Sequence, residues 1–98
     1  MPSGKIMIKD VIEKIEREKV VAIIRGVETE NIVAVANALS LGGINLVEVT
    51  FNQKQPQTFE QTAKAISLIK EKCPSVTVGA GTVLTTEQVD IAKKAGAE

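Results

Sequence analysis

Histidine, tryptophan and tyrosine are absent from this 98-residue sequence, which has a single cysteine and two phenylalanines. Without histidine the commonest general base and the commonest metal ligand are both missing, so any proton transfer must rest on other groups. A lone Cys73 excludes an intramolecular disulfide and a cysteine metal site. With so few aromatic rings, the core has to be built from Val, Ile, Leu and Ala, the usual filling of parallel sheets covered by helices. An excess of one charge is also lacking. Twelve basic and twelve acidic residues cancel, which argues against a nucleic-acid or anionic-membrane surface. No apolar run is long enough to span a bilayer, and no signal-peptide pattern is seen. Residues 1–4 read as a loose terminus, and the expected home is a reducing cytoplasm.

What is present is organised around residues 44–51, Ile-Asn-Leu-Val-Glu-Val-Thr-Phe. A run this short and this rich in β-branched residues predicts a buried strand between Gly42-Gly43 and Asn52. Alternation puts Leu46, Glu48 and Thr50 on one face and Val47, Val49 and Phe51 on the other. An ionised carboxylate in such a run is costly to bury unless it is paired or used, which makes Glu48 the first candidate for chemistry.

The rest of the chain falls into order around this strand. Ile8, Val11, Ile12 and Ile15 are spaced as one face of a helix over residues 8–18. Residues 20–24 predict a buried strand that ends at Arg25-Gly26. Ile32, Val35, Ala36 and Leu39 predict a helix over 29–41, with Thr29 as N-cap and Gly42-Gly43 as its stop. Pro56 suits a first helical turn, Phe59, Ala63, Ile66 and Ile69 mark the buried side, and Pro74 prevents continuation. Residues 76–78 begin a third strand that runs into Gly79-Ala80-Gly81-Thr82-Val83. Thr85 and Gln88 have capping-box spacing at the head of a last helix, with Val89, Ala92 and Gly96 on its packed side. A leading helix followed by three strand–helix units predicts an α/β fold with parallel strands and right-handed crossovers. Three strands do not close a barrel. The expectation is part of a (β/α) barrel, or a sheet whose open edges pair with another chain.

In parallel α/β folds the site lies at the C-terminal ends of the strands. Arg25, Glu48 and Thr82 all stand there, and Thr82 shares a face with Val76, Val78 and Ala80 if the third strand stays extended through its glycines. A cation, a carboxylate and a hydroxyl converging on one cavity suit a small anionic substrate: Arg25 for charge neutralisation, Glu48 for proton transfer, Thr82 for a hydrogen bond. Plainer roles stand beside these. Arg25 and Glu48 could form a structural ion pair, and Thr82 could cap a turn. Gly79-x-Gly81 fails the dinucleotide fingerprint because Leu84 occupies the third glycine position.

Three segments, residues 20–26, 42–51 and 78–84, occur in this order and spacing in one family. The chain resembles the N-terminal half of the 2-keto-3-deoxy-6-phosphogluconate (KDPG) aldolases, also bifunctional with 4-hydroxy-2-oxoglutarate, from about Ile8 to Glu98. The resemblance implies a partial (β/α)8 TIM barrel, with residues 1–98 as the N-terminal portion of one barrel domain. It implies a class I aldolase that needs no metal or other cofactor, acts on a small keto acid, and assembles as a homo-oligomer, a trimer in the family. It further implies that Glu48 transfers protons, that Thr82 helps bind pyruvate and that Arg25 lies at the substrate carboxylate. Some members carry an arginine where Asn52 stands here. The family's Schiff-base lysine ends a later strand, and phosphate binding in such barrels uses the loops after strands 7 and 8. Every lysine of this chain falls on a helix, terminus or loop. The resemblance therefore implies an acid–base half without its nucleophile; the alternative is an inactive half-barrel that pairs with another chain.

Overall fold

The structure, a computed structural model, describes residues 8–98. The expectation for residues 1–4 and the side chain of Ile8 lie outside that description. The elements run α1 (Ile8–Glu18), β1 (Ala22–Ile24), α2 (Thr29–Leu41), β2 (Leu46–Thr50), a 3-10 turn (Pro56–Thr58), α3 (Phe59–Lys72), β3 (Thr77–Gly81) and α4 (Thr86–Ala95). The strands form one parallel sheet in the order β1-β2-β3, with β2 in the middle. This is the α/β order that the alternating periodicities predict.

Register assigns the two faces of the sheet. Ala22, Val47 and Val78 lie opposite one another, as do Ile24, Val49 and Ala80. Ile24, Val47, Val49 and Val78 pack with Ile32 and Ala36 of α2 and with Ala65, Ile66 and Ile69 of α3. That face is the core. Aliphatic side chains suffice to fill it because two amphipathic helices cover it completely. Phe51, which alternation assigned to this face, is buried outside that cluster, meeting Phe59 edge-on with ring centroids 5.2 Å apart. The other face carries Ile23, Leu46, Glu48, Thr50, Thr77, Gly79 and Gly81. At its lower end Lys14 of α1 donates to the hydroxyl of Thr77 at 2.6 Å, which ties the leading helix to the start of β3.

Several expectations need correction. The strand predicted over 20–24 shortens to Ala22–Ile24, and Val20, Val21 and Ile23 are exposed, Ile23 by 62%. β1 is an edge strand whose second face has no cover among the described residues, so an apolar run did not mean burial. Ile12 and Ile15 are likewise exposed, because the apolar stripe of α1 faces no helix. Thr29 is the first residue of α2, and Glu28 takes the N-cap position without a side-chain bond. Val89 is exposed, leaving Ala92 and Gln88 as the buried residues of α4. Gly96 ends α4 at φ 99°, a left-handed cap that favours glycine. Beyond it, the amide of Glu98 donates to the carbonyl of Val78 at 2.8 Å, on the edge of β3 away from β2.

Candidate active site

All residues of β2 are buried except Glu48, which is half-buried. The reason is its neighbour. Gly79 lies directly across from Glu48 and Gly81 one step further along β3. With no side chain there, the carboxylate lies flat against the backbone of Gly81. A Cβ built on that glycine would meet Glu48 Cδ at 2.5 Å and Cγ at 2.7 Å, and the carboxylate oxygen Oε2 more closely still. A glycine therefore makes the slot into which a charged side chain folds at the C-terminal end of a parallel strand.

Thr82 follows that glycine, but strand parity does not deliver it. Val78 and Ala80 belong to the helix-covered face, so an extended β3 would carry Thr82 there too, away from Glu48. Instead β3 stops at Gly81 and Thr82 turns left-handed, at φ 54°, with an exposed side chain. The chain therefore leaves the strand conformation at Thr82 instead of continuing it onto the helix-covered face. Few non-glycine residues adopt the left-handed conformation, and β-branched ones least of all.

Arg25 follows β1 directly, and register places it level with Thr50, two residues beyond Glu48. It is exposed, and among the described residues no ion pair joins it to Glu48; the ion pair seen is Lys70 with Glu98 at 3.8 Å. Arg25 lines a cavity of about 860 Å³ between α2 and α3, together with Thr29, Thr50, Asn52, Gln55 and Lys64. Glu48 and Thr82 do not line it. The structure thus folds Glu48 against Gly81, the residue before Thr82, and sets Arg25 at the head of a neighbouring cleft. Asn52, which stands where some aldolases carry arginine, caps its own loop: its Oδ1 accepts from the amide of Lys54 at 3.0 Å.

Sequence reasoning missed the groups that hold the rim together. Gln53 Nε2 donates to the carbonyl of Thr82 at 2.6 Å, and Gln53 Oε1 accepts from Gln88 Nε2 at 2.8 Å. Gln88 Oε1 in turn accepts from the amides of Leu84 and Thr85 at 2.7 and 3.1 Å. The capping box expected at Thr85 and Gln88 is present with both arms. The reach of Gln88 across to the loop after β2 is what the spacing does not announce.

A parallel α/β unit with a carboxylate and a hydroxyl at its strand ends has the layout of a small-molecule enzyme. Comparison with known proteins is specific. Residues 11–98 match the family model for KDPG and KHG aldolases. A 2-dehydro-3-deoxy-phosphogluconate aldolase of Treponema pallidum is 40% identical over 88 residues, covering 90% of this chain and 39% of the relative. A crystal structure of the KDPG aldolase of Zymomonas mobilis ZM4 with 3-phosphoglycerate superposes with TM-score 0.75 at 30% identity, over 94% of this chain and 41% of that one. The Legionella pneumophila KDPG aldolase, with pyruvate captured as a covalent carbinolamine, gives TM-score 0.65 at 34% identity over 79% of this chain and 34% of its own. The chain belongs to the KDPG and KHG aldolase family, a family of lyases, and spans about two fifths of the length of the curated relative it matches. Among the described residues no helix is long and apolar enough to cross a membrane.

Proposed function

We propose that residues 1–98 are the N-terminal portion of a single (β/α)8 barrel in a cytoplasmic, homotrimeric class I aldolase. The reaction cleaves 2-keto-3-deoxy-6-phosphogluconate to pyruvate and glyceraldehyde 3-phosphate, and this chain supplies the acid–base half of the site. The observation that carries the reading is Glu48, the one residue of the central strand that is not buried, folded against Gly81 at the strand ends. Glu48 moves protons: onto the departing hydroxyl as the carbinolamine loses water, off the C4 hydroxyl as the C3–C4 bond breaks to release the aldehyde and leave an enamine, onto C3 of that enamine, and off the water that hydrolyses the pyruvate imine. Thr82 donates a hydrogen bond to the pyruvate portion, and Arg25 offers its charge to the substrate carboxylate.

The imine nitrogen has to come from a lysine outside these residues. Within the described chain Lys9 and Lys14 lie on α1, Lys64, Lys70 and Lys72 on α3, Lys93 and Lys94 on α4, and Lys19 and Lys54 between elements. Lys14 alone among these bonds to the sheet, and it does so at the opposite end from Glu48. An amine nucleophile needs a desolvated pocket at the mouth, and Lys64, which lines the cleft headed by Arg25, is exposed there. The test is borohydride trapping with pyruvate. Residues 1–98 should give no adduct, whereas a fusion of this chain to the remaining strands of the T. pallidum relative should be trapped. An adduct on residues 1–98 would refute the assignment of the nucleophile.

A second reading is favoured by the exposed Ile23 of β1 and Val21 just before that strand: an inactive half-barrel whose sheet edges pair with another chain. Light scattering separates the two, since a monomer that melts cooperatively on its own has no need of such a partner.

A further inference from the structure

The amides around Thr82 have a fixed polarity. Gln88 is 1% exposed, and its Oε1 faces two backbone N–H groups, those of Leu84 and Thr85. An NH2 group in that place would oppose donors with donors, so the oxygen cannot exchange with the nitrogen. Nε2 of Gln88 must then be the group that donates to Gln53, which turns Gln53 so that its own nitrogen meets the carbonyl of Thr82. Two main-chain amides on one side of the turn thereby dictate which atom reaches Thr82 on the other. The link ends on a threonine in a left-handed conformation that it would not choose unaided.

We propose that Gln88 and Gln53 form a hydrogen-bond relay that positions Thr82 at the rim, making Gln53 a positioning residue for substrate binding. The second half of this statement rests on the reading of Thr82 as a pyruvate-binding residue; the relay itself does not. Because Gln53 acts through a group that binds substrate before and during reaction alike, its loss raises KM and leaves kcat.

Two substitutions test the relay. Gln88→Glu keeps an oxygen for the two backbone amides and so keeps the helix cap, but its second oxygen faces Gln53 Oε1. The Gln53 amide must then turn over, which sets its oxygen against the carbonyl of Thr82. Gln53→Leu removes the relay without touching the cap at all, on a loop where it is free to fold. In residues 1–98, nuclear magnetic resonance should show displaced Thr82 signals in both variants, with a modestly lowered unfolding midpoint in Gln53→Leu because the buried Gln88 Nε2 loses its acceptor. Combining Gln88→Glu with Gln53→Lys should return the Thr82 signals, because an ammonium donates to both oxygens. In the fusion enzyme either single variant should raise KM by roughly fivefold, the worth of one hydrogen bond, with kcat preserved. Thr82 signals that ignore both single variants, or a double variant that fails to restore them, overturn the relay. Restored signals with an unchanged KM overturn the role in substrate binding while leaving the relay. A parent fusion that pyruvate and borohydride do not trap counts against the aldolase reading, and the resonance measurement still decides the relay.

Discussion

Gly81→Ala separates the position of Glu48 from the stability of the fold. The added methyl would come within 2.7 Å of both Cγ and Cδ of Glu48, closer than real contacts allow. Either the strand or the carboxylate must move. The Gly81 backbone is held in the ladder opposite Thr50, and its carbonyl accepts from the amide of Phe51 at 3.0 Å. Glu48 is half-buried on three rotatable torsions, so it is the partner that yields. Leaving its preferred rotamer costs about 0.5–1.5 kcal/mol. Replacing glycine by alanine at a negative φ returns about 0.4–1 kcal/mol through the unfolded chain. The two nearly cancel, and the urea unfolding of residues 1–98 should shift by no more than about 1 kcal/mol. Turnover in the fusion enzyme should nevertheless fall by about 10²–10⁴-fold, the range of a lost general acid–base group, matching Glu48→Gln. A stability loss above about 3 kcal/mol, the scale of rigid overpacking, would show that the backbone had moved instead. A fully active fusion would show that the carboxylate need not occupy the slot.

Other outcomes follow from the core. Ile66 is 0% exposed between the sheet and the helices, so Ile66→Ala should cost about 2–5 kcal/mol by urea unfolding, a large part of a small domain's stability. Burial pushes the Cys73 thiol above its ordinary value of 9.0, so the folded chain holds that proton more tightly than the unfolded one. The stability from this group is complete below pH 9.0 and is lost as pH rises through the folded value. The unfolding midpoint should decline from there upward more steeply than in Cys73→Ala, and an equal decline in both would remove Cys73 as the cause.

The element pattern was legible because each signal is local. The periodic stripe over residues 8–18 is helical, and the helix over 29–41 stops where the glycine punctuation puts its end. The capping box at Thr85 and Gln88 was readable from two residues three apart. Burial was less legible, since Ile12, Ile15, Val20, Val21 and Ile23 carry the composition of a core and are 42–62% exposed. A residue's own apolarity says that it gains from cover, not that cover is present.

For the site, the chain order alone was enough to single out Glu48, because a carboxylate in a β-branched run is an energetic anomaly wherever the strand goes. The alternating strands and helices likewise determined a parallel sheet. Which atoms meet at the strand ends was decided only in three dimensions. Register pairs Glu48 with Gly79, its carboxylate folds against Gly81 further along the same face, and the chain turns left-handed at Thr82. Gln53 and Gln88, separated by 35 residues, hold that turn through a contact that no local spacing encodes. Side-chain period and propensity act over a few residues, whereas register, close approach and hydrogen-bond polarity exist only once distant segments are side by side.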